Sequence, residues 1–168
     1  MASVAERRPF WLLVAVTVLL DRITKIIAEN ALFDGPIRVI GETVQLRLVY
    51  NRGAAFGLGQ AMGPAARWVF LVIAIVAVVL LARMAREALA TDKLRQYALG
   101  FVAGGAAGNG IDRIISPAGV VDFLDVGLAN VYRWPTFNVA DIAVSCGAVA
   151  LALSLWREDA QRRAATTT

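Results

Sequence analysis

"WVFLVIAIVAVVLLA", Trp68–Ala82, contains no charged residue and belongs in hydrocarbon rather than water. Crossing a ~30 Å hydrocarbon core takes ~20 residues of helix, and the apolar stretch around this segment, Ala66–Ala82, is close to that length. Three more apolar stretches are long enough to test as spans, Phe10–Ile27, Tyr97–Ile115 and Val139–Trp156, the first and third of the four stretches interrupted by charges near one end. Four spans and their connections use nearly all of the 168 residues, of which 58% are apolar and only 18% charged. The reading is an all-α membrane protein of four transmembrane helices, with residues 1–168 forming a single domain.

Lysine and arginine set the orientation. Nine basic residues lie at the N-terminal end (Arg7, Arg8), in the second connection (Arg83, Arg86, Lys93, Arg95) and in the tail (Arg157, Arg162, Arg163). Five lie on the other side, Arg38, Arg47, Arg52, Arg67 and Arg133, and Arg22, Lys25 and Arg113 complete the 17. The excess places both termini in the cytoplasm and the longer connections, 28–65 and 116–138, outside. The pI near 9.8 is thereby read as membrane orientation. No basic helix with interleaved aromatics points to nucleic acid. "ERRPFWLLVAV" looks like a secretion signal, but no small-x-small cleavage site follows, so an uncleaved first helix is expected.

Side-chain inventory narrows the chemistry. There is no histidine, and the single cysteine, Cys146, lies inside the fourth span. This removes the Ser-His-Asp triad, disulfides and nearly every zinc site. Any catalysis falls to carboxylates, Lys25 or hydroxyls.

In the first outer connection, Val44, Leu46, Leu48 and Tyr50 alternate with Thr43, Gln45, Arg47 and Val49, the pattern of a half-buried strand. A small extracytoplasmic sheet is expected there, ending in "NRGAAFG". On the third span Gly100, Gly104 and Gly108 recur every four residues, making a face on which another helix packs closely. A nucleotide-binding loop would need a βαβ context that is missing.

Asp21, Lys25, Asp112, Arg113, Asp122 and Asp141 all lie in, or at the outer ends of, apolar stretches. A charge near mid-bilayer costs roughly 2.5–3.5 kcal/mol, so such groups pair or work. With helices alternating in direction, these residues gather at one depth near the outer side. Asp21 and Lys25 stand at i and i+4, acid first, the favourable order for a helical pair. Asp112 and Arg113 are adjacent, so their partners lie on other helices. This set reads as structural support. Asp122 ("VVDFL") and Asp141 ("FNVADIAV") are different: neither has a basic residue three or four positions away. Two such acids around a water form the minimal machinery of aspartic peptide hydrolysis. Asp125, three residues on, is expected to face solvent.

Five blocks in order carry a resemblance: "DRITK" (Asp21–Lys25), "NRGAAFG" (Asn51–Gly57), "GGAAGNGIDR" (Gly104–Arg113), "VVDF" (Val120–Phe123) and "FNVADIA" (Phe137–Ala143). The chain resembles the lipoprotein signal peptidases (signal peptidase II), the bacterial aspartic membrane proteases. The resemblance implies Asp122 and Asp141 as catalytic dyad, and Asn51, Asn109, Arg113 and Asn138 as residues that bind substrate or support the dyad. Asp21 and Lys25 would brace it, and the backbone at Gly53 and the Asn51 amide would hold an extended substrate. It implies four transmembrane helices with a small extracytoplasmic sheet and a short outer helix, and no metal or other cofactor. The implied substrates are diacylglyceryl-prolipoproteins, cut just before the lipidated cysteine, and the implied inhibitors are globomycin-type cyclic peptides. The implied place is the bacterial inner membrane, with the active site at its outer face and no obligate protein partner. Gly110, where a larger apolar residue is common, and Arg22, after Asp21, depart from the usual pattern; Gly110 is expected to loosen the third helix. Three rivals stand beside this reading: a proton-coupled transporter, a peptidase using Lys25 with Ser145, and a non-catalytic membrane scaffold.

Overall fold

The computed structural model describes residues 8–53, 59, 62–89, 91–128 and 131–166. Each apolar stretch is a helix that outruns it: α1 Arg8–Ala31, α2 Ala65–Glu87, α3 Lys93–Ile115 and α4 Val139–Thr166. Apolarity marks only the dehydrated part of a helix, and polar residues extend it. In the tail of α4, Arg162–Glu158 and Arg163–Asp159 form i,i+4 pairs. Asp92 caps α3 by accepting the Arg95 N–H. By length and composition α2 and α4 are apolar enough to cross a membrane; α1 and α3 carry the ionised residues read above.

The strands are β1 Ile37–Ile40, β2 Val44–Asn51, β3 Val120–Leu128 and β4 Tyr132–Arg133, forming one antiparallel sheet in that order. The sheet expected from Thr43–Tyr50 is therefore present, and its central partner is the segment containing Asp122, which pairs with Val49. Among the described residues there is no short outer helix. Residues 54–57 of the "NRGAAFG" block lie outside the described residues.

The helix α3 packs against α1, α2 and α4, and its glycines are the reason. A Cβ on Gly100 would sit 3.0 Å from the Phe10 carbonyl oxygen, one on Gly104 2.7 Å from Thr17 Cβ, and one on Gly108 2.6 Å from Asp21 Oδ2. The predicted glycine face is thus the seat of α1. Gly110 points elsewhere: a Cβ there would lie 3.6 Å from Ala74 Cβ, an ordinary contact. It leaves room for a methyl group against α2.

One apolar cluster, Phe10, Ala85, Leu99 and Ala103, closes one end of the bundle. Another, Ala28, Leu32 and Phe123 with Leu46, Leu48, Leu124 and Val139, joins α1 to the sheet near the other. Between them the interior is polar, with Asp21, Lys25 and Asp112 all at 0% exposure, while Leu12, Leu19, Val72 and Val149 point outward. This inverted distribution suits a hydrocarbon surround, where lipid covers the apolar exterior.

Candidate active site

The α4 N-terminus answers why a carboxylate stands in its first turn. Asn138 Oδ1 accepts the Asp141 N–H at 3.0 Å, and Asp141 Oδ2 accepts the Asn138 N–H at 3.1 Å. This is a reciprocal capping box, satisfying N–H groups that a helix start leaves without partners. It also locks the Asp141 side chain. The second oxygen, Oδ1, accepts Asn109 Nδ2 from α3 at 2.8 Å.

Asp122 arrives from the sheet. β3 begins at Val120 because Gly119, at φ +123°, lets the chain pass against the Asn51 carbonyl, where a Cβ would collide. Antiparallel register places Asn51 two residues beyond Val49, the partner of Asp122, hence on the same face. Asn51 Nδ2 donates to Asp122 Oδ2 at 3.1 Å and Asn138 Nδ2 to Oδ1 at 2.6 Å. Asn138 also donates to Asn109 Oδ1 at 3.1 Å. One asparagine therefore touches both acids, one through its side-chain nitrogen and the other through its oxygen and backbone. Burial pushes the Asp122 carboxyl up to about 7, and the nearby Asp141 charge adds to the rise against the Asn51 and Asn138 bonds.

Arg113 completes the ring. Its guanidinium donates to the Gly53 carbonyl at 2.8 Å and to the Asn109 carbonyl at 3.1 Å, and lies 5.4 Å from the Phe70 ring centroid. Gly53 N–H in turn donates to Asn51 Oδ1 at 3.0 Å. The Gly53 backbone is thus held from both sides, and its position orients the Asn51 amide.

The acids open on a cavity of about 1130 Å³. Its walls come from β2 (Asn51), α2 (Phe70, Ile73, Ala77), α3 (Ala106, Asn109, Arg113), β3 (Asp122) and α4 (Asp141, Val144, Ser145), with Trp134 and Thr136 also lining it. One end is polar, around the acids, and the other is a slot of small and apolar side chains running between α2 and α4. That combination accommodates a polar backbone group bearing a long apolar appendage.

Every residue selected from sequence is here or directly behind. Asp122, Asp141, Asn51, Asn109, Arg113, Asn138 and Gly53 form the site; Asp21, Lys25 and Asp112 form a buried ion cluster behind it. Lys25 Nζ reaches Asp21 at 2.8 Å, Asp112 at 2.8 Å and Asn109 Oδ1 at 2.9 Å. The ammonium is thereby paired with two carboxylates and bonded to one amide oxygen. Lys25 is not a lining residue of the cavity whereas Ser145 is, so the two do not form a dyad.

One reading needs correction. Asp125 does not face solvent: it is 3% exposed and bonds Arg133 at 2.7 Å, which ties β4 to the sheet. Arg22 is part of the cluster, 2.5 Å from Asp112. Arg67, read only as an outer positive charge, donates to the Arg113 and Ile114 carbonyls and closes the C-terminal end of α3. The signal for Arg22 was the unpaired Asp112 itself, which needed a cation from another helix.

A family model described as Signal peptidase (SPase) II matches residues 13–157. The lipoprotein signal peptidase of Treponema denticola is 40% identical over 153 residues, covering 88% of this chain and 87% of the relative. That of Ralstonia nicotianae is 41% identical over 142 residues, covering 84% and 80%. Two solved structures, both described as a bacterial membrane enzyme determined by the in meso method, have the same fold. One has a TM-score of 0.75 at 25% identity over 90% of each chain. The other has 0.69 at 26% identity over 87% of this chain and 91% of its own. With the family model spanning most of its length and such relatives matching along four-fifths or more of both chains, this chain belongs to the signal peptidase II family, the bacterial membrane proteases called lipoprotein signal peptidases.

Proposed function

We propose that the protein is an aspartic endopeptidase that removes the signal peptide of diacylglyceryl-modified prolipoproteins, cutting just before the lipidated cysteine, with Asp122 and Asp141 as the dyad. The observation that carries this is the pair of carboxylates joined through Asn138 at the polar end of a cavity whose other end is apolar. In this reading the peptide carbonyl lies at the acids and the acyl chains enter the slot between α2 and α4.

The two acids play different parts. Asp122, with its carboxyl raised to about 7, carries the proton and donates it toward the carbonyl oxygen. Asp141 accepts N–H donors from Asn109 and Asn138 at a helix N-terminus and takes a proton from the attacking water. The water oxygen bonds the carbonyl carbon, the tetrahedral species collapses, and the C–N bond breaks. The proton held by Asp141 passes to the leaving amine, and the carbonyl re-forms as Asp122 recovers its own. Arg113 faces both acids and limits the repulsion between them. Asn51 and the Gly53 backbone hold the extended substrate.

We further propose that all four helices span the bacterial inner membrane as one domain, with both termini cytoplasmic and the sheet and active site at the outer face. Charges in α1 and α3 are compatible with spanning because they are internally paired. Globomycin-type cyclic peptides would occupy the same cavity.

The test is cleavage of a diacylglyceryl-modified prolipoprotein by the purified full chain, set against Asp122→Asn and Asp141→Asn. Wild type is expected to cut, and both variants to fold and be inactive. Near-normal cutting by either variant would sink the dyad. Failure of the wild type would sink the substrate assignment.

A further inference from the structure

The ion cluster behind the acids repeats one arrangement twice. On α1, Asp21 accepts the Ala140 N–H at 3.0 Å with Oδ1 and forms an ion pair with the Lys25 ammonium through Oδ2 at 2.8 Å. On α3, Asp112 Oδ2 accepts the Val121 N–H at 3.1 Å and lies in an ion pair 2.8 Å from the same ammonium. Ala140 immediately precedes Asp141, and Val121 immediately precedes Asp122. The ammonium also donates to Asn109 Oδ1, and Asn109 Nδ2 donates to Asp141. One buried cation thus reaches both acids, twice through the preceding peptide and once through a side-chain amide.

Bracing alone does not account for this pattern. A buried ion cluster contributes little net stability compared with apolar packing of the same volume, and tying α1 to α3 needs only one ion pair. Here each carboxylate also holds the peptide that aims one acid of the dyad. An ammonium can only donate, so Asn109 must turn its oxygen to Lys25 and its nitrogen to Asp141. With that charge gone, the amide loses the strongest donor to its oxygen and is held in this sense only by the Asn138 Nδ2 bond and the Asp141 acceptor.

We infer that the Asp21–Lys25–Asp112 cluster is a positioning unit that sets the separation of the Asp122 and Asp141 carboxylates and the orientation of the Asn109 amide, with Lys25 its hub. The inference rests on the dyad assignment of the preceding subsection.

The test is the double variant Asp21→Asn/Lys25→Met, which removes one charge of each sign and leaves Asp112 with Arg22. It is assayed as full chain in detergent on a peptide bearing a diacylglyceryl cysteine, beside wild type, Asp122→Asn and Asp141→Asn. The expected result is a folded protein whose kcat falls about a hundredfold, the scale of a misplacement near 1 Å, while KM stays within about twofold. A folded double variant with kcat within about threefold of wild type overturns the inference. If the double variant does not fold, Asp112→Asn decides, since it keeps the side-chain size and one acceptor for Val121. The same split between kcat and KM supports the hub, and unchanged kcat overturns it. Inactive dyad variants alongside fully active cluster variants sink this inference alone; active dyad variants sink it together with the mechanism.

Discussion

The buried carboxyl of Asp122 ties stability to pH, and replacing it with asparagine should break that link. Its carboxyl is raised from 3.8 to about 7 by burial and by Asp141, so the folded protein holds this proton more tightly than the unfolded chain does. Stability therefore falls as pH rises through the window from about 4 to about 7, then levels off once both states have lost the proton. The interval corresponds to about 4 kcal/mol between the two protonation states. Asp122→Asn removes this penalty. The neutral amide must turn its NH₂ toward one of two donors, Asn51 or Asn138, but protonated Asp122 faces the same conflict with its hydroxyl. That cost cancels at low pH, and the difference above pH 7 isolates ionisation. The variant should therefore match wild type below about pH 4 and be more stable at pH 8. The gain would be about 8–16 °C in unfolding midpoint if each kcal/mol is about 2–4 °C for a chain of this size. Thermal unfolding followed by tryptophan fluorescence across this range is the assay. A stability difference that does not change with pH would refute the account of Asp122 as a buried acid ionising near neutrality.

Four other outcomes follow from the geometry. The rate of cleavage should fall on the alkaline side near pH 7 as Asp122 loses its proton, giving a descending limb in the profile of kcat against pH; a flat profile to pH 9 would exclude Asp122 as the acid. Gly110→Ala should raise stability by about 0.5–1 kcal/mol through reduced chain freedom and leave cleavage intact, because its Cβ meets Ala74 at 3.6 Å. Gly108→Ala should lose both stability and activity, because its Cβ would sit 2.6 Å from Asp21 Oδ2; equal behaviour of the two variants in unfolding and cleavage assays would contradict the packing of α3. Arg133→Met should destabilise the sheet by about 2–3 kcal/mol by leaving Asp125 buried without its cation, measurable by denaturant unfolding, where wild-type stability would refute it.

The sequence by itself determined the helices and the cast of polar residues. Long apolar runs admit few solutions in hydrocarbon, and a charge there has to be accounted for. That made Asp21, Lys25, Asp112, Arg113, Asp122 and Asp141 visible before any fold was known, and the glycine spacing on α3 already marked the seat of α1. Asn51, Asn109 and Asn138 were legible only through resemblance, since an asparagine carries no charge to betray it and any helix start could hold one. Only the tertiary structure decided what each of them does. Sheet register puts Asn51 on the face of Asp122, and the α4 capping box turns Asn138 toward both acids. The route from Lys25 through Asp21 and Asp112 to the peptides before Asp141 and Asp122 joins residues about 90 to 120 positions apart. Asp125 shows the same limit from the other side. A local pattern gave it to solvent, but its partner, Arg133, reaches it only through the pairing of β3 with β4. Charge and periodicity are local properties of a chain. The direction of a hydrogen bond is settled where distant segments meet, and the chemistry proposed for this site depends on those directions.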